Sequence, residues 1–338
     1  MTTIISHPWT DPGNEASAWP LPVAAVAVAW PVLDLLTGPR RIARVHSAFS
    51  QAANLEVGEQ FVALTAPAAP WVPNGLALAG AHGQRTLLGL RPGQHAWIGE
   101  GEIAFPEAGV RVTGEAAERW EPSLARHLDA VAPTMLARGL WHLATLCRPE
   151  LESEDRCDSL CAPDTSSRSD LSSPGAELVP FARRIAGALD VLAGGLARAD
   201  REAVLAGTRR LAGLGPGLTP AGDDILVGAC TSLTLFASIG VPEFRRDATA
   251  LIELRRLIAE TAAAQTTALS AAWLRHAGQG EFSLPLLRIG QALASGRAPT
   301  IAAATARLMR LGASSGRCAI TGLLAVGQAL LRRYTAGA

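Results

Sequence analysis

Between residues 41 and 112 the apolar positions recur in short runs broken by Gly and Pro, whereas beyond about residue 118 they take up helical spacing. The segment Arg41-Ile-Ala-Arg-Val-His-Ser-Ala-Phe49 alternates apolar and polar residues, as a half-buried strand does. Short apolar runs at Gln60–Leu64 and Gly75–Ala79 predict further strands, as do Thr86–Leu90, His95–Ile98, Glu102–Phe105 and Val110–Val112, spaced as hairpins are. Helices are expected over Glu121–Leu146, Pro180–Ala199, Arg201–Leu211, Pro220–Ser238, Ala248–His276, Leu284–Ser295, Thr300–Leu311 and Ser315–Tyr334. Residues 1–20 show no periodicity and read as a flexible arm. Residues 148–175, rich in Ser, Asp, Glu and Pro, read as a mobile loop. The expected class is therefore α+β. A β-rich domain over 21–117, an antiparallel sheet or small barrel, precedes a mainly α-helical domain over 118–338.

Composition narrows the function classes. The 338 residues are 49% hydrophobic, and 30 basic residues balance 30 acidic ones, so no global field draws the chain to nucleic acid or to an anionic membrane. The longest early apolar run, Leu21 to Leu36, is broken by Pro22, Pro31 and Asp34 and falls short of the ~20 residues a spanning helix needs. No secretory pattern opens the chain, and a cytoplasmic location is expected. The five cysteines, 147, 157, 161, 230 and 318, form no Cys-x-x-Cys module. Neither a disulfide framework nor a structural zinc site is indicated; Cys157 and Cys161, the one close pair, lack partner ligands.

The chemistry concentrates in Gly213-Leu-Gly-Pro-Gly-Leu-Thr-Pro-Ala-Gly-Asp-Asp224. Alternating glycines at 213, 215 and 217 suit neither helix nor strand, while Thr219 and Pro220 are a favourable cap and first position for the helix expected next. The continuation Ile225–Phe236 is apolar or small throughout, which predicts a helix enclosed by protein. Asp223 and Asp224 thus fall in a first turn that is inside or lines a cleft. Two readings stand. Carboxylates stabilise a helix start by roughly 0.3–1 kcal/mol each. Alternatively, glycine amides, including that of Gly222, cradle an anion while the aspartates hold an amino group, a cation or a proton. If any metal binds, Asp223 and Asp224 are its candidate ligands, with magnesium the candidate ion.

Two further clusters carry polar groups. Leu311-Gly-Ala-Ser-Ser-Gly316 precedes an apolar helix, so that Ser314 or Ser315 can cap it or bond a ligand oxygen, with Gly312 and Gly316 allowing close approach. Thr266, Thr267 and Ser270 share roughly one side of an expected helix. Phosphate-loop, nucleophile-elbow and His-Glu-x-x-His motifs are absent, and His46, His82, His127 and His276 stand isolated, so they are read as structural or surface groups.

The first motif, together with Thr266-Thr267, Ser270, Gly312 and Ser314-Ser315-Gly316, resembles the AllH-like family over about Val45 to Gly322. The resemblance implies a subunit of a bacterial oxamate carbamoyltransferase of allantoin and purine catabolism, working beside an FdrA-type subunit and a third one. The reaction it implies moves a carbamoyl group between an oxamate-type acid and phosphate, with oxamate, phosphate or carbamoyl phosphate as the small anionic substrate. On that reading Asp223, Asp224 and Thr219 are the catalytic candidates. Gly213, Gly215, Gly217, Gly222, Thr266, Thr267, Ser270, Ser314, Ser315 and Gly316 then bind the anion. The Ser-Thr-Arg-Thr-Arg phosphate motif of aspartate and ornithine carbamoyltransferases is missing, so such an activity uses a different site. The family's second motif reads Gly-His-Ser/Thr-Ser-Gly-x-Asp, whereas Ala313 and Cys318 stand here at the His and Asp positions. The alternative class is a noncatalytic subunit that binds a small carboxylate or scaffolds its partners.

Overall fold

A computed structural model describes residues 22–151 and 175–336. The expected arm and Cys157 and Cys161 lie outside these residues, as does nearly all of the expected loop. Two compact units divide the chain near residue 118, with short exchanges at 29–31 and 70–75.

The first unit is a β-barrel of β1 (Val23–Ala29), β2 (Arg41–Ala48), β3 (Ala52–Val57), β4 (Gln60–Thr65), β5 (Gly75–Leu78), β6 (His95–Gly99), β7 (Glu102–Phe105) and β8 (Val110–Thr113). The spatial order is β5-β4-β3-β2-β6-β7-β8-β1, and a β5–β1 pairing closes the ring; β9 (Glu118–Trp120) also pairs with β1. Closure removes the unpaired edges that an open sheet exposes. Tight hairpins follow from the sequence: Gly99 pairs with Glu102 across Glu100-Gly101, whose φ angles of 54° and 88° match the right-handed twist of the flanking strands. On β2 the inward residues Ala43, Val45 and Ser47 alternate with outward ones, as the pattern requires.

Three expectations need correction here. The barrel is mixed, because β1 and β8 run parallel with Val23 opposite Val112. Hairpin spacing informs only on strands adjacent in sequence, and these two are not. Thr86–Leu90 is not a strand but the end of α2 (Gly80–Gly89), which follows the short α1 (Leu33–Thr37). Its buried residues Gly83, Thr86 and Leu87 have helical spacing, whereas the apolar run alone is ambiguous. The strands β1 and β3 were not expected at all.

The second unit is helical: α3 (Pro133–Leu151), α4 (Gly175–Arg198), α5 (Arg201–Leu211), α6 (Ala221–Ala237), α7 (Pro242–Ala263), α8 (Ala268–Gln279), α9 (Leu284–Ser295), α10 (Ala298–Leu308) and α11 (Ser315–Ala336). The chain therefore has the expected α+β class. The first expected helix starts later than its pattern predicts. Residues from Glu121 form turns, including a 3-10 turn at Leu124–His127, and the helix begins at Pro133, where a missing N–H costs nothing. The expected long helix over 248–276 is two, α7 and α8, broken before Thr267.

At the centre lies α6, on which only Asp224, Val227 and Ala237 fall short of full burial. It runs beside α11 in the same direction, with Asp224 against Ser315, Gly228 against Ala319 and the Ser232 hydroxyl donating to the Leu323 carbonyl at 2.6 Å. A Cβ on Gly228 would lie 1.9 Å from the Ala319 oxygen, and one on Gly322 would lie 1.9 Å from that of Ile225. Two glycines thus let the helix backbones touch and bring both N-termini to one end of the unit. Behind them the buried Arg255 of α7 donates to the Gly278 carbonyl and to the Thr234 hydroxyl, tying α6, α7 and α8 together.

Candidate functional site

The glycine-rich loop enters α6 through conformations open to few residues other than glycine. Gly213, Gly215 and Gly217 have φ of 66°, 126° and 94°, which explains their alternation in the sequence. A Cβ on Gly213 would fall 2.6 Å from the Gln265 carbonyl, and one on Gly215 would fall 2.9 Å from the Ala221 nitrogen. The loop is thereby pressed against both α6 and the turn before α8. The helix starts at Ala221 with Pro220 in the cap position and no side-chain cap. Thr219 therefore does not cap it, because the amides of Asp223 and Asp224 are taken by the Pro220 carbonyl at 3.0 and 3.2 Å. Its half-buried hydroxyl makes no hydrogen bond among the described residues.

The two adjacent aspartates have different environments. Asp223 is 1% exposed. Its Oδ1 accepts the Gly213 N–H at 2.8 Å, and its Oδ2 accepts the Thr266 hydroxyl and, at 2.6 Å, the Ser270 hydroxyl. Thr267 accepts from the Ser270 N–H at 3.1 Å as the cap of α8, while its own hydroxyl donates to the Leu218 carbonyl at 2.6 Å. Asp223 is thus a fastener that holds the loop and the start of α8 to α6. The break between α7 and α8, which has no Gly or Pro to announce it, exists to supply these donors.

Asp224 faces the other way. It accepts a hydrogen bond from Ser315 in the first turn of α11, while its Oδ2 is buried and accepts nothing among the described residues. Burial pushes its carboxyl up to about 7; the Ser315 hydrogen bond opposes that shift and the neighbouring Asp223 adds to it. The carboxyl is therefore poised to take up or release a proton near neutral pH. The consequence for stability has a definite sign. Unfolded, the group releases its proton near 3.8; folded, it does so near 7. Stability is present in full below pH 4 and falls as pH rises to 7. Asp224→Asn is expected to come close to the wild type near pH 4 and to exceed it by about 4 kcal/mol at pH 8. Urea unfolding across that pH range checks this, and a pH-independent difference would refute the shifted carboxyl.

The other expected site residues divide into two sets. Gly222 is packed: a Cβ there would lie 1.9 Å from the Leu211 carbonyl, and its N–H goes to the Leu214 carbonyl at 2.9 Å. Gly316 seats the start of α11 in the same manner, 1.8 Å from the Leu308 carbonyl by the same measure, and neither has an amide to offer. By contrast, the N–H groups of Gly215, Gly217, Leu218, Thr219 and Ala221 have no acceptor among the described residues, and neither do those of Ser314 and Ser315. Gly312, at φ 60°, turns the chain into α11, and Cys318 is 2% exposed. Asp223 thus links the starts of α6 and α8, and Asp224 links the starts of α6 and α11, so that the Asp224 carboxyl lies between two helix N-termini.

A magnesium site on the pair does not fit this geometry, since both Asp223 oxygens are committed to protein donors and one carboxyl remains. Among the described residues no three His, Cys, Asp or Glu side chains gather as metal ligands do. The histidines are less isolated than expected: His276 Nδ1 lies 2.6 Å from Glu281, and His127 Nε2 lies 2.7 Å from the Glu121 carbonyl. Sequence reasoning missed four arginines at the outer wall of the loop, 183, 184, 209 and 210, although their two Arg-Arg doublets were the available signal. Among the described residues no helix is long and apolar enough to cross a membrane.

Two family models match the chain. The AllH family N-terminal domain covers residues 24–119, which hold the barrel, and the oxamate carbamoyltransferase subunit AllH covers residues 211–327, which hold the glycine loop, both aspartates, Thr266 to Ser270 and the start of α11. No curated protein and no solved structure matches it. With more than half of its length matched by two parts of one family, the chain belongs to the AllH family of oxamate carbamoyltransferase subunits.

Proposed function

We propose that this subunit takes part directly in carbamoyl transfer between an oxamate-type acid and phosphate, with Asp224 as the proton-handling group. The observation that carries this reading is a buried carboxyl with one unbonded oxygen and a proton affinity near neutrality, set where the N-termini of α6 and α11 meet. In the direction that forms carbamoyl phosphate, a phosphate oxygen attacks the carbamoyl carbon. The C–N bond to the oxamate nitrogen breaks, and that nitrogen takes the proton from Asp224. In the reverse direction the carboxylate accepts the proton as the oxamate nitrogen attacks. A group with a pKa near the working pH serves both directions.

The surrounding donors suit the charge that develops. The unbonded N–H groups of the loop and the hydroxyl of Thr219 can face an oxyanion without displacing an internal hydrogen bond, so little reorganisation is needed at the moment of reaction. Asp223 contributes by holding the loop and has no direct part in the chemistry. Partner subunits, including one of the FdrA type, and a role in allantoin catabolism belong to this proposal through the family.

The test is calorimetric titration of the full chain with oxamate and with carbamoyl phosphate, repeated on Asp224→Asn, with thermal midpoints measured in parallel. A ligand at ~100 times its dissociation constant should stabilise the wild type by about 2.7 kcal/mol. Oxamate binding that changes between pH 6 and pH 8 in the wild type, and loses that pH dependence in Asp224→Asn, supports the proposal. Binding that is indifferent to this residue at every pH overturns it and favours a noncatalytic binding subunit.

A further inference from the structure

The helical unit carries a second polar feature, a groove of about 520 Å³ whose lining includes Arg183, Arg184 and Gly187 of α4, Arg209 and Arg210 of α5, and Gly213 of the loop. The helix pair creates it. Gly195 seats against Val204, and Gly207 seats against Leu192, so α4 and α5 form an antiparallel hairpin. The early part of α4 and the end of α5 therefore meet at the hairpin's open end, beside the loop.

Several observations set this groove apart from an ordinary solvated face. Among the described residues no acidic side chain lines it, and none of its four arginines makes an ion pair or a hydrogen bond. Some arginines elsewhere are ion-paired, as Arg40 is with Glu100, Arg111 with Glu102 and Arg333 with Asp247, and others are not, so what distinguishes the groove is four of them gathered on one wall. The chain contains no lysine, so the choice of arginine is uninformative and only the placement matters. The helix dipole favours cations at the end of α5, which accounts for Arg209 and Arg210, but Arg183 and Arg184 lie well inside α4. Gly187 is the second sign. A glycine inside a helix costs about 1 kcal/mol relative to alanine, yet a Cβ there would meet nothing within 4 Å, so packing does not require it. Its absence of a side chain keeps the groove floor open.

We propose that this groove binds a phosphate-bearing small anion. Guanidinium groups match phosphate oxygens in paired hydrogen bonds, four positive charges call for a ligand of two or more negative ones, and the volume suits a small molecule. Gly213 belongs both to the groove wall and, through its N–H, to the Asp223 fastener, so a bound phosphate lies against the loop that leads to Asp224. The inference rests on the proposed transfer reaction only in identifying this anion with the phosphate partner of that reaction.

The experiment is titration of the full chain with inorganic phosphate at constant ionic strength in chloride. The variants are Arg183→Gln/Arg184→Gln, Arg209→Gln/Arg210→Gln, Gly187→Leu and Asp224→Asn. All four arginines are exposed, so the double variants are expected to keep the wild-type thermal midpoint. Phosphate affinity should fall at least about tenfold in each double variant, and also in Gly187→Leu, which fills the groove without changing its charge. It should be unaltered in Asp224→Asn. Phosphate affinity that is unchanged in the double variants or in Gly187→Leu, or wild-type affinity no greater than for chloride, overturns the inference. Groove-dependent phosphate binding combined with Asp224-independent oxamate binding would sink the proposed chemistry and leave this site standing.

Discussion

Asp223→Ala is expected to destabilise the helical unit by about 3–5 kcal/mol, making it one of the most damaging single substitutions in the chain. Its carboxylate is the shared acceptor for the Gly213 N–H and for the hydroxyls of Thr266 and Ser270. Removing it orphans three donors at once and releases both the glycine loop and the start of α8. Asp223→Asn should fall between, because its amide oxygen retains part of the network while its NH2 opposes donors. Chemical unfolding followed by circular dichroism gives the measurement. An alanine variant within about 1 kcal/mol of the wild type would show that the network does not hold the site together.

The second large effect is expected at the α6–α11 crossing. Gly228→Ala places a methyl 1.9 Å from the Ala319 carbonyl oxygen, and Gly322→Ala places one at the same distance from that of Ile225. Backbone cannot swing aside as a side-chain tip can, so the helices must separate along a contact that buries Ile225, Leu226, Leu323 and Val326. Overpacking of this kind costs about 3 kcal/mol or more, several times the helix-propensity gain of alanine over glycine. Gly187→Ala, on an open helix face, is the control and should be neutral or slightly stabilising. Should Gly228→Ala and Gly187→Ala have the same effect on the thermal midpoint, the close crossing is not what positions the two helix starts.

These effects bear on the Asp224 chemistry through position. Asp224 is held near Ser315 because two glycines permit the crossing, and its loop is held by Asp223. Stability is given up at one group, the buried carboxyl whose proton affinity is raised. It is recovered at the neighbour, whose carboxylate is fully hydrogen-bonded. Such a division between adjacent residues is what a proton-handling group on a rigid support requires.

Much of the architecture was legible in the chain. Strand-period alternation in residues 41–48 and helix-period spacing from 133 onward determined the α+β class, since each period can bury only one kind of face. The apolar run after Asp224 determined that α6 is enclosed, and the alternating glycines determined a loop of positive φ. Other features had no local signature. Barrel closure pairs β1 with β5, and the parallel pair joins β1 with β8; both link strands that are not neighbours in sequence, so neither could be read from spacing. The break before Thr267 lies in an alanine-rich stretch that favours an unbroken helix, and only the hydrogen bonds to Asp223 and Leu218 offset that preference. The division of labour between Asp223 and Asp224 was likewise hidden, because successive helix residues point about 100° apart and which one meets donors depends on what packs there. The sequence by itself determined that two carboxyls stand at a buried helix start. The tertiary structure alone decided that one is spent on hydrogen bonds and the other keeps an unbonded oxygen, because hydrogen-bond partners come from segments some 40 to 90 residues away.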